Sequence, residues 1–138
     1  GEEIVWKTLQ EPKVLGLSTY TGNFNQTAIV ALLEFGNFQA LLTGDVGMEE
    51  EEEFLPNLAE IEVLKVAHHG SKYSTSESLL ATVRPKLAVI SVGTNNRYGH
   101  PAPEVLKRLR AVGAQIRRTD LEGEIEVVSD GKNWYNAN

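Results

Sequence analysis

Cysteine is absent from the 138 residues of this chain. That excludes disulfides, thiolate metal sites and cysteine nucleophiles together, and leaves the redox compartment open. Histidine is scarce, at three residues, so a metal ion would have to rest on those, on carboxylates and on water. No stretch approaches the roughly 18 apolar residues of a membrane-spanning helix, and no basic-then-apolar start marks a signal peptide. Positive charge is in deficit: 13 Lys and Arg against 19 Asp and Glu leave a net charge of −6. This argues against a surface that grips nucleic acid unaided, because nonspecific affinity comes from neutralising phosphates. The late cluster Lys107, Arg108, Arg110, Arg117 and Arg118 nevertheless keeps a local basic patch open. What is present, 41% hydrophobic residues over a one-domain length, fits a soluble globular fold with a sizeable core spanning residues 1–138.

Periodicity and turn residues divide the chain. Apolar runs at 4–9 and 14–19 flank Glu11-Pro12 and are expected to pair as antiparallel neighbours. A Gly- and Asn-bearing loop at 20–26 follows. Strands at 27–35 and 38–43 form a hairpin around Gly36-Asn37. Their apolar residues are nearly continuous, as in a sheet covered on both faces. A helix begins after Gly47 and stops at Pro56. Its five consecutive glutamates, 49–53, read as a solvated helix start, favoured by the helix dipole and opposed by their own repulsion. Further on come a strand at 61–67, a turn at Gly70, a helix at 76–83 ended by Arg84-Pro85, and a strand at 87–92. A polar loop at 93–99 leads to a helix at 103–112, with Pro103 in its first position, Val105, Leu106, Leu109 and Val112 facing inward and Gly113 closing it. Strands at 115–119 and 123–129 and a tail or edge strand at 132–138 complete an α/β chain of the α+β type.

The stretch that organises the chemistry is Val63 to Ser71, VLKVAHHGS, which carries two of the three histidines into a glycine turn. If the strand ran through them, His68 and His69 would point to opposite faces, and one of them would join a given site. Upstream, the run from Phe38 ends in Thr43-Gly44-Asp45; downstream, the strand at 87–92 leads through Asn95, Asn96, Arg97 and Tyr98 to His100. Three strand ends that each present a polar side chain describe an active site at one rim of a sheet. Asp45 reads either as a cap for the following helix or as a ligand. His100 alone could be a satisfied loop histidine, although the residues before it suit anions and oxygen atoms. None of these positions forms a local motif of the HExxH kind, so a site must be assembled by folding.

The runs LLTGD at 41–45, LKVAHHGS at 64–71, AVISVG at 88–93 and NRYGHP at 96–101, in this order, resemble the carboxy-terminal half of a metallo-β-lactamase-fold hydrolase domain. The nearest likeness is to the hydrolase domain of ComEC-type DNA-internalisation proteins, over roughly residues 25 to 130. The resemblance implies mixed sheets with flanking helices, the second half of an αββα sandwich. It implies that Asp45 bridges two divalent metals, zinc or manganese, that one of His68 and His69 is a ligand, and that His100 touches substrate or donates a proton. Asn95 and Arg97, with Ser71 and Lys72, would then contact a phosphate. It further implies phosphodiester hydrolysis of DNA during competence-linked uptake, by a soluble extracytoplasmic domain of a bacterial inner-membrane protein. One departure stands against it: the HxHxDH cluster that lies upstream of TGD in that family is absent. The chain therefore reads as half a domain, inactive alone and completed by an upstream half. Two other readings stay open: a non-catalytic binding or structural module, and a small-molecule metallohydrolase acting on thioesters, lactones or small phosphodiesters.

Overall fold

The computed structural model describes residues 4–8, 13–19 and 28–137, and two sheets organise them. The larger has six strands in the order β2 (Lys13–Thr19), β3 (Ile29–Phe35), β4 (Phe38–Leu42), β5 (Val63–Lys65), β6 (Leu87–Ile90), β7 (Gln115–Arg118). The smaller has three, in the order β1 (Ile4–Thr8), β8 (Ile125–Ser129), β9 (Trp134–Asn136). β2, β3 and β4 are antiparallel, whereas β4 to β7 are parallel throughout, so the sheet is mixed. The parallel strands are joined by α1 (Met48–Phe54), α2 (Glu77–Val83) and α3 (Pro103–Ala111), and a helical turn, α4 (Thr119–Glu122), follows β7. Among the described residues no helix is long and apolar enough to cross a membrane.

Strand alternation sets the layers. In β6, Leu87 and Val89 face one core while Ala88 and Ile90 face the other, and β5 splits Val63 from Leu64 in the same way. The first core also holds Phe35, Phe38, Ile125 and Val127, and so lies between the two sheets. The second holds Leu79, Leu80, Val83, Val105 and Leu109, and so lies between the large sheet and the helices. A sheet covered on both faces must be apolar on both, which is why β4 to β6 show little polar alternation. The arrangement is small sheet, large sheet, helices.

Three expectations are corrected. β1 and β2 are not antiparallel neighbours: β1 pairs in parallel with β8, in a different sheet from β2. A turn signal marks a break in the chain but does not say which strand each side will meet. The Glu11-Pro12 turn and the loop at 20–26 lie outside the described residues. The strand expected at 61–67 keeps three paired residues, because the chain curls into a 3₁₀ turn at Ala67–Gly70. The glutamate run is not wholly solvated. Glu51 is fully buried, and its two carboxylate oxygens accept from the backbone N–H groups of Thr75 and Ser76. Burial pushes its carboxyl above the ordinary carboxylate range, against the pull of those hydrogen bonds and of Arg108.

The hairpin at Gly36-Asn37 forms as the sequence predicts. Gly36 has φ +58, and a Cβ there would lie 2.4 Å from the carbonyl oxygen of Gly131, so glycine is needed for space as well as conformation.

Candidate functional site

Parallel strands place their carboxyl ends along one edge of the sheet, and loops leaving that edge are where α/β folds build sites. Here β4, β5 and β6 end side by side and deliver Asp45, the His68-His69 pair and the loop to His100. The strand ends are tied to one another. Thr43 Oγ1 donates to Lys65 O at 2.7 Å, His68 N to Gly44 O at 2.9 Å, and Val66 N to Val89 O at 2.9 Å. Buried Ser74 donates through Oγ to Ala67 O at 3.0 Å and Ser71 O at 2.9 Å, pinning the histidine turn from below.

The two histidines do not sit in a strand, so alternation does not sort them. Both adopt left-handed backbone, with φ of 49° at His68 and 53° at His69, a region non-glycine residues enter at a cost and which concentrates at functional sites. Their rings meet different partners. His68 meets His100 edge-on, with centroids 6.1 Å apart. His69 has its Nδ1 2.7 Å from Ser91 O and its Nε2 3.8 Å from an Asp45 carboxylate oxygen. A carbonyl can only accept, so Nδ1 carries the proton of the neutral ring and Nε2 keeps a lone pair on the Asp45 side. That is the way the surroundings of a metal-binding histidine fix its tautomer.

Asp45 is not a helix cap. Gly47 holds the cap position of α1, and its N–H is satisfied by the Glu50 carboxylate at 2.9 Å, which leaves Asp45 exposed and free to face His69. The 3.8 Å separation is too long for a hydrogen bond. It is near the ~3.4 Å spacing of two donors about 2.1 Å from one tetrahedral zinc. The donor count falls short, however. Among the described residues no group of three or more His, Cys, Asp or Glu side chains is placed to hold an ion, and a catalytic zinc takes three protein ligands. The pair fits part of a metal centre and not a whole one.

His100 closes the rim. Its Nδ1 is buried without a hydrogen-bond partner, and Tyr98 stacks on its ring with centroids 5.8 Å apart and planes 20° apart. Desolvation, helped by the nearby His68 and His69, lowers its pKa below the ordinary histidine value. His69, Asn95, Asn96, Tyr98 and His100 line a cleft of about 470 Å³. Asn95 therefore stands at the site. Arg97 is exposed in the same loop but outside the cleft lining, and Lys72 is exposed with its ammonium 4.9 Å from the Tyr73 ring centroid. Ser71 is buried, its hydroxyl accepting from Tyr73 N. Of the late basic residues, Arg108 donates to the carbonyls of Lys72 and Ser74, while Arg117 and Arg118 pair with Glu122 and Asp120. These three are tied down within the fold.

Asn96, expected to suit anions, is occupied within the loop instead, and Lys65 is a contributor that the sequence reading did not single out. Asn96 shapes the loop, its amide donating to Gly93 O and His100 O and accepting from His100 N. Lys65, at the end of β5, is half-buried; burial lowers its pKa while the charge of Asp45 works against that shift. A lysine alone in an apolar strand was the available signal.

By sequence, this two-sheet chain with its histidine and aspartate edge is similar to a stretch of ComEC-like competence proteins. It is 43% identical over 105 residues to ComE operon protein 3 of Bacillus subtilis, covering 74% of this chain and 13% of that protein. It is 36% identical over 127 residues to Recombination protein 2 of Haemophilus influenzae, covering 92% of this chain and 16% of that protein. It is 38% identical over 106 residues to Competence protein ComA of Neisseria gonorrhoeae, covering 74% and 15%. The chain thus spans 13–16% of the length of these relatives. No protein-family model matches it.

Proposed function

We propose that the chain is part of a metal-dependent phosphodiesterase acting on DNA in competence-linked uptake, and that it supplies one edge of a metal centre whose remaining ligands come from outside the described residues. The observation that carries this reading is the approach of Asp45 to His69, whose free nitrogen is fixed by Ser91, in a chain similar to competence proteins. In the metallo-β-lactamase-like arrangement the sequence resembles, such a centre lowers the pKa of a bound water and offsets charge on a phosphoryl group. This chain's own residues would orient and bind: Asp45 and His69 as donors, Asn95 as an amide contact, and His100 as a largely uncharged ring at the rim.

The test joins the chain to the segment that precedes the matching stretch in a relative and measures zinc and manganese by elemental analysis, with hydrolysis of labelled DNA alongside. Near-stoichiometric metal and DNA cleavage, both lost in Asp45→Ala, are the expected result. Full metal loading with DNA left intact would overturn the nuclease reading and favour a small-molecule metallohydrolase. A non-catalytic binding module is favoured by the lack of a three-donor cluster among the described residues, and it would show as no retained metal in the joined protein.

A further inference from the structure

We propose that Tyr98 and His100 form a stacking platform for an unpaired nucleobase, so that the cleft meets DNA as a single strand or frayed end and not as paired duplex. The inference rests on the reading of this rim as one that meets DNA.

Tyr98 is 84% exposed, more than any other large hydrophobic residue described, yet its position is defined. The side chain of Asn96 ties Gly93 to His100 through three hydrogen bonds, and the Tyr98 ring lies nearly parallel to the His100 ring. His100 in turn leans edge-on against His68, so the platform has a backing. An aromatic ring held out on a braced loop loses little conformational freedom when a second ring stacks on it.

The rest of the cleft agrees in size and chemistry. At about 470 Å³ it holds a nucleotide-sized ligand and not a double helix. Asn95 is exposed in its lining and offers both a donor and an acceptor to a base edge, whereas the Asn96 amide is already spent on the loop. Bases inside a duplex hide their faces against their neighbours; unpaired bases present them. The chain also carries a net charge of −6, and the guanidiniums of Arg108, Arg117 and Arg118 are engaged within the fold. Arg97, exposed in the same loop, and Lys72 remain to meet phosphate, so on this net negative chain neutralisation is partial and stacking carries a larger share of the contact than in basic DNA-binding surfaces.

The experiment is fluorescence anisotropy of a labelled oligothymidylate and of a blunt duplex of equal length, titrated with the 138-residue chain at low salt without added metal, with thymidine monophosphate as competitor. The expected result is tighter binding of the single strand than of the duplex. Tyr98→Ala should weaken it about ten-fold or more and Tyr98→Phe should hold it within about two-fold, with unchanged far-UV circular dichroism. Displacement by the monophosphate supports a platform that reads one base. Equal binding by Tyr98→Ala, preference for the duplex, or no binding by the unaltered chain overturns the proposal. Those results leave metal-dependent hydrolysis standing, and a joined protein that binds metal but cleaves no DNA removes the nuclease reading while a Tyr98-dependent preference for single strands survives it.

Discussion

A histidine kept uncharged is a different reagent from one that titrates near neutrality. His100 is pushed in that direction by desolvation and by two neighbouring imidazoles. Its folded-state pKa lies below the ordinary 6.5. As pH falls below that value the unfolded chain takes up the proton first. The contribution of His100 to stability is therefore full above about pH 6.5 and is lost as pH falls through its folded pKa. Nuclear magnetic resonance titration of the ring should place its midpoint below that of a model peptide, and His100→Gln should flatten this part of the stability profile. A midpoint at or above 6.5 would contradict the packing described. Glu51 has the opposite sign. Its pKa is raised, so its contribution is full below about 4.5 and declines as pH rises through the folded value. Glu51→Gln should abolish that slope. It should still cost about 1–3 kcal/mol at neutral pH in urea unfolding, because one of the two N–H groups at Thr75 and Ser76 loses its acceptor to an amide that donates.

At the scale of elements, the histidine turn depends on the loop behind it. Gly70 has φ +84, and a Cβ there would lie 2.6 Å from Pro101 Cβ, while Ala102 N donates to Gly70 O at 2.8 Å. Gly70→Ala combines a conformational penalty with a clash against a proline that has little freedom to move. We expect it to destabilise by about 1–3 kcal/mol and to broaden the His68 and His100 ring resonances, since both lie on the segments it would push apart. The same turn shows where sequence reading stops. The positions of the strands and helices and the polar residues at the strand ends were legible, because apolar runs closed by Gly, Pro and caps are local signals. The ring directions of His68 and His69 were not legible, because they follow from left-handed backbone imposed by bonds to Gly44, Ser74 and Ser91. Glu51 was hidden for a similar reason. Within five identical residues, what buries one is the N–H pair of a segment more than twenty positions away.

At the scale of the molecule, the open question is whether the small sheet belongs to the same cooperative unit as the sheet that carries the site. The core between the sheets joins Ile125 and Val127 of β8 to Phe35, Phe38, Val63, Leu87 and Val89, and Trp134 of β9 packs on Phe38 with ring centroids 6.3 Å apart. That core shares β4, β5 and β6 with the core under the helices, because alternate residues of the same strands serve both. Removing the small sheet would therefore expose the back of the strands that present Asp45 and His69. In a Trp6→Phe background the fluorescence of Trp134 in β9, packed on Phe38, reports on the small sheet, whereas ellipticity at helical wavelengths reports on α1 to α3. Urea unfolding followed by the two signals should give coincident midpoints, as expected of one two-state unit. An earlier fluorescence transition would mean that the small sheet detaches first. The geometry of the Asp45 and His69 edge would then have to be stable on a single sheet, which the shared strands argue against.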